Sequence, residues 1–376
     1  MQARKEFPEI HGNLGFSSMC LPMTGDKVDI EKLSRMVDAF LESGFNYFDT
    51  GHDLLEGRAE LAFRESVAKR YPRESFVLAN KLKESCFMKQ KDIRPLFERQ
   101  LESCGVDYFD FYLMDEQNKF NYQIFKEQKA YETIAQLKEE GLIRHVGITF
   151  HDAPEVLDVV LSQHPEIDVV QIRFNYADYT EPPVEGRSIY DVCMKHGKAV
   201  IATSPIKEGK LASLPEEAEK ILLDMNGGGN ISYAIRFSAS FPNTILTLPA
   251  TSDLEHMKEN CSVMKDFHPM DDEEKEIMRT VSDALYSLTE IPCIACRHCL
   301  KDIICPRSIR IPDLFATLNN YVAYHDRNAK YYYHNVVTGP GHGKASDCVM
   351  CGSCEKVCPQ QLNIRKLMMK VAETFE

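Results

Sequence analysis

Eight of the thirteen cysteines of this 376-residue chain lie between residues 293 and 358, and their spacing indicates iron–sulfur chemistry. The segment CVMCGSCEKVCP (348–359) spells C-x2-C-x2-C-x3-C-P, which is typical of bacterial ferredoxins. Three thiolates spaced in this way can wrap one corner of an iron–sulfur cubane, whereas zinc sites usually take two separated pairs of ligands. In two-cluster ferredoxins the fourth cysteine, which precedes proline, binds the other cluster.

A second run, CIACRHCLKDIICP (293–306), keeps the spacing of the first three cysteines but lengthens the last gap to five residues. Longer loops cost little extra closure entropy, so Cys305 can still reach a cluster. We therefore predict two [4Fe–4S] clusters. The first is expected on Cys293, Cys296, Cys299 and Cys358, and the second on Cys348, Cys351, Cys354 and Cys305. The alternative is a single cluster beside a zinc-like or free-thiol loop.

The residues before this tail alternate between strand-like and helix-like patterns. Eight such alternations over about 250 residues favour a parallel sheet, and eight strands are the number that closes a (β/α)₈ barrel. An open doubly wound sheet is the rival, but no G-x-G-x-x-G follows the first strand. We predict a (β/α)₈ TIM barrel over residues 1–288, followed by a small ferredoxin-like iron–sulfur domain over residues 289–376. The predicted strands are 12–19, 45–50, 75–82, 110–115, 144–150, 168–175, 198–206 and 243–250.

Three ionisable residues stand where barrel strands are predicted to end, the positions that carry catalytic groups in such barrels. Asp49 ends the second strand, Lys81 the third and Asp115 the fourth. A carboxylate and a lysine that converge in a barrel mouth can form an ion pair that tunes the pKa of an acid. The alternative for each residue taken singly is a surface salt bridge.

The overall composition argues against several partners. The net charge of −13 at pH 7 disfavours non-specific binding of nucleic acids and of anionic membranes. No apolar run reaches 18 residues, and the N-terminus MQARKEFPEIHG lacks the apolar core of a signal peptide. We therefore expect a soluble cytoplasmic protein that binds neither nucleic acid nor membrane.

Several segments of the first 285 residues resemble the aldo-keto reductase family, and the tail resembles the subgroup with a C-terminal ferredoxin-like domain. Members reduce carbonyl compounds with a nicotinamide cofactor and an Asp–Tyr–Lys–His tetrad. By this resemblance Asp49 and Lys81 match the aspartate and the lysine, whereas Leu54 replaces the tyrosine and Asp115 replaces the histidine. The segments that carry the resemblance are GNLGFSSMCLP, GFNYFDTG, VLANKL, IRHVGITFHD, VVQIRFNYAD, ATSPIKEGKL and TLPATSDLEHMKEN.

The resemblance also implies cofactor-binding positions, which are only partly kept. Thr149 and Gln171 match residues that hold the nicotinamide amide, while Phe150 replaces an expected asparagine. The expected pyrophosphate-binding residues are Ser204, Lys207, Gly209 and Leu211, and the expected adenine-side residues are Thr251 and Asn260. His256 stands where members that prefer NADP often have arginine.

Two groups could replace the missing tyrosine as the proton donor. His52 lies three residues after Asp49 and is a general-acid candidate, although a solvated loop histidine is the simpler interpretation. Asp115 beside Lys81 and Asp49 offers the other route, because two carboxylates that share one lysine can leave one carboxyl protonated.

These features predict an iron–sulfur oxidoreductase that acts on a small carbonyl or hydroxyl compound in the barrel mouth. Two clusters in one module favour electron transfer to or from a partner protein, and the barrel is expected to bind NAD(P) or a flavin. Two alternatives stay open. One is a non-hydride acid–base enzyme, such as a lyase, dehydratase or isomerase, and the other is an inactive barrel that serves as an electron-transfer subunit.

Overall fold

Eight parallel strands, β1 to β8, follow one another in sequence order around a barrel. Each strand pairs in parallel with the next, and a parallel bridge between Leu14 and Thr247 closes the sheet. This topology confirms the predicted (β/α)₈ barrel and excludes the doubly wound sheet. The strands are Gly15–Ser17, Tyr47–Asp49, Val77–Leu82, Phe109–Gln117, Ile143–Phe150, Val169–Arg173, Ala199–Thr203 and Thr244–Leu248.

The strands are nearly continuous apolar runs because helices cover their outer faces and side chains fill the interior. Alternate residues point inward, so the interior is a packed apolar cluster rather than a channel. Its members are Phe7, Ile10, Tyr47, Val77, Ala79, Phe111, Leu113, Val169, Ala199, Ile201, Ile245, Leu246 and Leu248.

Helices connect the strands and bury one apolar face each. In the helix Ile30–Glu42 the buried residues recur at helical spacing, and the Asp29 carboxylate caps the helix by accepting from the backbone N–H of Lys32 at 3.0 Å. The other helices up to residue 287 are Arg58–Phe63, Gln90–Cys104, Asn121–Glu127, Ala130–Glu139, Pro154–Gln163, Gly186–Lys195, Glu216–Leu222, Asn230–Ala239, Leu254–Lys265 and Asp272–Ser287.

The C-terminal segment has short helices and an apolar core of its own. Tyr333 and Phe375 stack with ring centroids 4.9 Å apart, and Leu314, Phe315 and Val371 are fully buried in the same cluster. This segment therefore has a hydrophobic core that is separate from the barrel interior. The helices are His298–Lys301, Ile311–Tyr324, Ala329–Tyr332, Ser353–Lys356 and Ile364–Phe375.

The computed structural model describes residues 3–119, 121–152, 154–180, 186–207, 209–223, 225, 228–287, 290–293, 297–301, 303–324, 329–339, 341–358 and 360–376. Contacts divide the chain into two compact units, of which one contains the barrel strands and the other contains residues 276–376 with the helix Glu216–Leu222. The predicted boundary at 288/289 lies outside the described residues and stays a prediction. Within these ranges, no helix has the length and apolar character needed to cross a membrane.

Candidate active site and candidate iron–sulfur centres

Five polar side chains extend the barrel interior at the C-terminal ends of β2 to β6. They are Asp49, Lys81, Asp115, Thr149 and Gln171. Four of them come two residues after an inward-facing apolar residue, and Thr149 pairs in register with Gln171. Because parallel strands place these ends at one mouth, the structure brings together groups from five neighbouring strands.

Lys81 and Asp49 form a buried ion pair in this mouth. The Lys81 ammonium contacts Asp49 Oδ1 and donates a hydrogen bond of 2.8 Å to the carbonyl oxygen of Thr50. Gln171 Nε2 donates to the other carboxylate oxygen of Asp49 over 3.3 Å. The side chains of Lys81 and Asp49 are 10% and 5% exposed, so loss of either partner would leave a buried charge uncompensated.

Asp115 is buried beside this pair and has an environment suited to holding a proton. The Thr149 hydroxyl donates to Asp115 Oδ1 at 2.6 Å and accepts from the backbone N–H of Glu116, also at 2.6 Å. Burial raises the pKa of the Asp115 carboxyl, although the positive charge of Lys81 opposes the rise. A carboxyl group in this position can act as an acid at a pH where an exposed aspartate cannot.

An irregularity in β4 accompanies the position of Asp115. The pairing of β4 with β5 shifts register between Met114 and Gln117, and Glu116 between them has a left-handed φ of 52°. Bulges of this kind are common at barrel rims next to active sites, where they re-aim side chains. No turn residue marks this bulge in the sequence, so sequence reasoning did not find it.

The loop after β2 carries Leu54 at the position where the resemblance expects tyrosine. Leu54 is half-buried and its side chain has no proton to donate. The next three residues, Leu55, Glu56 and Gly57, all have left-handed backbone conformations with φ of 51°, 58° and 83°. A left-handed conformation costs a non-glycine residue roughly 1–2 kcal/mol, and such strain clusters at functional sites.

His52 in the same loop is oriented by a buried carboxylate that the sequence pattern did not single out. Its Nδ1 lies 2.9 Å from Glu60 Oε2, and Glu60 is completely buried in the helix Arg58–Phe63. Asn80 Nδ2 donates to the other oxygen of Glu60 at 2.9 Å. Burial raises the pKa of Glu60, while the hydrogen bonds from Asn80 and His52 oppose the rise. In the sequence, a glutamate among the apolar residues of the helix RAELAF (58–63) is the one sign that Glu60 is buried.

The predicted pyrophosphate-binding loop follows β7 and contains residues with left-handed backbone conformations, and its lysine is paired with a carboxylate. Ser204, Lys207 and Gly209 have φ of 51°, 49° and 85°, and Leu211 is buried. The Lys207 ammonium contacts the buried carboxylate of Asp178. Burial raises the pKa of Asp178, but the charges of Lys207 and Arg173 outweigh it and hold that pKa below its ordinary value. Lys207 therefore neutralises Asp178 in this structure.

Two further cofactor-binding predictions fall on buried polar groups. Asn260 Nδ2 donates to Thr251 Oγ1 at 3.0 Å, so the two adenine-side positions are in contact. Gln171 Oε1 is buried and, within the described ranges, accepts no hydrogen bond. An unpaired buried carbonyl oxygen is costly, and the carboxamide N–H groups of a nicotinamide would satisfy it.

Four of the eight tail cysteines surround one cavity. Its wall includes Cys305, Cys348, Cys351 and Cys354, and its remaining described lining is apolar apart from two arginines, Arg307 and Arg365. Cys299 is buried in the core of the same segment, and Cys293 and Cys358 pack against that core. Cys296 lies outside the described residues. Among the described residues, no three His, Cys, Asp or Glu side chains are arranged to hold a single metal ion.

This donor set fits a cubane. Four sulfur donors around an apolar cavity are the surroundings in which [4Fe–4S] clusters occur, and hydrogen bonding and solvent exposure then tune their reduction potential. The cavity is lined by Cys305 from the 293–306 run as well as by the 348–354 cysteines. The assignment of these four cysteines to one cluster remains a prediction.

Residues 13–283 match the family described as aldo/keto reductase, and residues 273–362 match the 4Fe-4S dicluster domain. An aldo-keto reductase from Mycolicibacterium smegmatis is 28% identical over 191 residues, which are 49% of this chain and 63% of that protein. The alignments with the next two curated relatives span 59% and 53% of their lengths. The matched regions of all three relatives are thus less than two thirds of those proteins.

Solved structures of similar fold include two bacterial aldo-keto reductases. The holo form of one from Bacillus halodurans has a TM-score of 0.59 at 20% identity, over 72% of this chain and 91% of that chain. One from Klebsiella pneumoniae, in complex with NADPH, has a TM-score of 0.58 at 16% identity, over 75% and 93% of the two chains.

Proposed function

Because this chain belongs to the aldo/keto reductase family and carries a 4Fe-4S dicluster domain, we propose that it is an iron–sulfur oxidoreductase acting on a small carbonyl or hydroxyl compound. The observation that carries the proposal is the arrangement at the barrel mouth. A buried Lys81–Asp49 ion pair lies beside Asp115, a buried carboxyl whose pKa is raised. A polar group that can hold a proton next to a fixed cation is what carbonyl reduction requires.

Reduction of a carbonyl to a hydroxyl group needs a hydride at carbon and a proton at oxygen. A nicotinamide cofactor bound in the mouth would supply the hydride. Asp115 is the proposed donor of the proton, and Lys81 stabilises the negative charge that develops on the oxygen. Lys81 is in turn held in place by Asp49 and by the carbonyl oxygen of Thr50. In the reverse direction the Asp115 carboxylate would accept the proton of the hydroxyl group.

His52 is the second candidate for the proton-transfer role. Glu60 orients its imidazole through Nδ1, as a buried carboxylate does in other acid–base pairs, which leaves Nε2 for exchange with a substrate or with water. In this scheme Glu60 is a positioning residue.

The nicotinamide part of the proposal is supported by Gln171, whose buried Oε1 accepts no hydrogen bond among the described residues. Gln171 Oε1 would accept from the carboxamide, and the backbone of the loop after β7 would face the phosphates. Thr149, Phe150 and Lys207 are not available for the contacts that the resemblance assigns. We therefore expect this chain to bind a nicotinamide cofactor more weakly than a family member that has all of the cofactor-binding residues.

The tail is proposed to hold two [4Fe–4S] clusters in a domain over residues 289–376. One cluster would lie on Cys305 and the three cysteines of the 348–354 run, which line one cavity. The other would lie on Cys293, Cys296, Cys299 and Cys358. Each cluster passes one electron at a time, whereas a hydride carries two electrons. The role that suits the two clusters is therefore electron exchange with a separate electron-transfer protein.

A non-hydride acid–base reaction is the second candidate for the same mouth. The Thr149 hydroxyl favours it, because that hydroxyl already donates to Asp115 and thus orients a carboxyl rather than a nicotinamide amide. A lyase, dehydratase or isomerase would use Asp115, Lys81 and His52 without a redox cofactor in the barrel.

The test is carbonyl reduction by cluster-replete protein under anaerobic conditions, with NADPH and 4-nitrobenzaldehyde as the probe pair. The proposal expects NADPH oxidation that Lys81→Met and Asp115→Asn each abolish, while Lys83→Met, a change at a neighbouring lysine, preserves it. Equal rates in all three variants would refute the assignment of Lys81 and Asp115. Loss of the rate in Lys83→Met alone would also contradict it.

A further inference from the structure

The two loops that supply one set of cysteines expose large apolar side chains beside the cavity. Ile304, next to Cys305, is 94% exposed, and Val349 and Met350, between Cys348 and Cys351, are 48% and 42% exposed. Val349 itself lines the cavity. Single exposed apolar residues are ordinary on protein surfaces, but three that flank one functional centre indicate a surface that excludes water on contact with a partner.

The charges around this cavity are positive. Its charged lining residues within the described ranges are Arg307 and Arg365, and the Arg365 guanidinium also pairs with Glu355 at 2.9 Å. The sequence shows the same bias on a larger scale. Residues 289–376 carry 11 Lys and Arg against 8 Asp and Glu, whereas the preceding 288 residues carry 33 against 49. By side-chain charge alone, before any cluster is bound, the tail is therefore the basic part of an acidic chain.

We propose that Ile304, Arg307, Val349, Met350 and Arg365, here termed the cluster rim, form the docking surface for an acidic protein that carries single electrons. The proposal rests on the two-cluster function proposed above. Positive charge around an apolar centre attracts an acidic partner, orients it and accelerates encounter. At each encounter one electron passes between the carrier and the cluster held by Cys305, so that one is oxidised as the other is reduced, and no bond forms or breaks.

Two alternative roles for the cluster rim predict different outcomes. The arginines could serve only to balance the negative charge of a thiolate-bound cluster, in which case their replacement would shift the reduction potential without affecting any partner. The cluster rim could also bind the acidic barrel of a second copy of this chain, in which case the protein would dimerise through it.

The experiment compares wild-type protein with two variants of the cluster rim, Ile304→Asp and Arg307→Glu. The matched control is Lys258→Glu, which makes the same change in charge at an exposed position of the barrel helix Leu254–Lys265. The full-length, cluster-replete proteins are mixed anaerobically with an acidic plant-type [2Fe–2S] ferredoxin in its reduced form. Reduction of the protein's clusters is followed by absorbance, and binding of the oxidised ferredoxin by calorimetry.

We expect each variant of the cluster rim to lower the second-order rate constant and the affinity at low ionic strength by about fivefold or more. The control should change both values by less than about twofold, and added salt should reduce the difference between wild type and Arg307→Glu. Ile304→Asp is informative on its own, because a side chain that is 94% exposed can be changed without disturbing the fold.

Reduced benzyl viologen and the iron content separate this proposal from the function on which it rests. If the variants keep their iron and their rate with viologen, equal rates and affinities with ferredoxin in all proteins would refute the docking surface alone. A changed reduction potential with an unchanged affinity would assign the arginines to charge balance and also refute it. A concentration-dependent dimer that Ile304→Asp dissolves would replace the carrier by a second copy. Absence of iron, or failure of viologen to reduce wild-type protein, would instead refute the two-cluster function.

Discussion

The barrel mouth and the cysteine cavity of the tail hold their reactive groups in opposite ways. In the mouth, Asp49 and Lys81 form a buried ion pair and the buried Asp115 accepts a hydrogen bond from Thr149, so each group has a partner within the protein. In the tail, the thiols of Cys305 and the 348–354 run face an apolar cavity whose charges are two arginines. In the mouth, interactions between neighbouring charged groups set the pKa values. In the tail, an apolar cavity surrounds the space for an anionic cluster.

This difference determines how each region should respond to mutation. The ion pair and the Asp115–Thr149 hydrogen bond of the mouth form without an added group, so a single change there should alter the rate and the pH dependence while the barrel still folds. The cavity depends on what fills it, because the free energy of metal binding to its ligands is also folding free energy. Loss of one cysteine ligand should therefore destabilise the fold of the tail.

Replacement of a cavity cysteine should have the largest effect. Cys305→Ser removes one thiolate from the cluster set, and we expect the iron content to fall by about half and the tail to become sensitive to proteolysis. Cys193→Ser, at a fully buried cysteine of the barrel, is the control and should keep all of its iron. Full iron retention in Cys305→Ser would show that Cys305 is not a ligand and would contradict its assignment to the cluster of Cys348, Cys351 and Cys354.

Loss of the lysine in the mouth should have the next largest effect. Lys81→Met leaves Asp49 as a buried, unpaired carboxylate, so we expect a destabilisation of about 3 kcal/mol or more and a rate loss of at least about 100-fold. Lys83→Met breaks partly exposed pairs with Asp53 and Glu116 and should cost about 1 kcal/mol or less. Thermal unfolding and steady-state rates measure both quantities. A Lys81→Met protein as stable as Lys83→Met would mean that the Asp49 pair is not buried in solution.

The raised pKa of Asp115 predicts a separation of activity from stability. The folded protein binds this proton more tightly than the unfolded chain, so the free energy of unfolding should fall as the pH rises from 3.8 through the raised pKa. Asp115→Asn removes that fall and should abolish carbonyl reduction while the thermal midpoint at pH 8 is unchanged or higher. Unfolding scans at pH 5 and pH 8 provide the comparison. A lower midpoint at pH 8 only would show that the carboxylate is the stabilising form.

The smallest effect is expected at Glu60. Glu60→Gln keeps the shape of the side chain but can donate to His52 Nδ1, which favours the other tautomer, and we expect a rate loss of about tenfold with a shifted pH profile. Glu166→Gln, beside His164 on the exterior, is the control because its pair is half exposed. Nitrogen NMR of the imidazoles reports the tautomers. An unchanged His52 tautomer and an unchanged pH profile would confine Glu60 to a structural role.

Much of this architecture could be predicted from the sequence because it depends on local patterns. Apolar runs of the right length, each followed by a helical pattern, are sufficient to predict eight strands, and cysteine spacing is sufficient to predict a ferredoxin-like domain. Asp49, Lys81 and Asp115 were found because polar residues at the ends of buried strands stand out against apolar neighbours. These three remain predicted catalytic residues.

The contacts that change the roles of the predicted site residues could not be predicted from the sequence. They join residues that are distant in the chain, or they depend on irregular backbone. Glu60 and His52 meet only through the fold of the loop after β2, and the pairing of Lys207 with Asp178 spans two different strands' loops. The bulge at Glu116 has no glycine or proline to mark it. The spacing of residues in the sequence does not show which charged side chains pair with each other in the fold.

The central claim is that the mouth of this barrel binds a nicotinamide cofactor despite the loss of half the tetrad. The most direct measurement is an anaerobic calorimetric titration of the cluster-replete protein with NADPH, NADH and FMN in turn, repeated with Gln171→Ala. We expect saturable binding of one nicotinamide nucleotide per chain, weakened by Gln171→Ala, and no binding of FMN. If neither nicotinamide nucleotide binds, the proposed carbonyl reduction is wrong, and the non-hydride acid–base reaction becomes the better candidate.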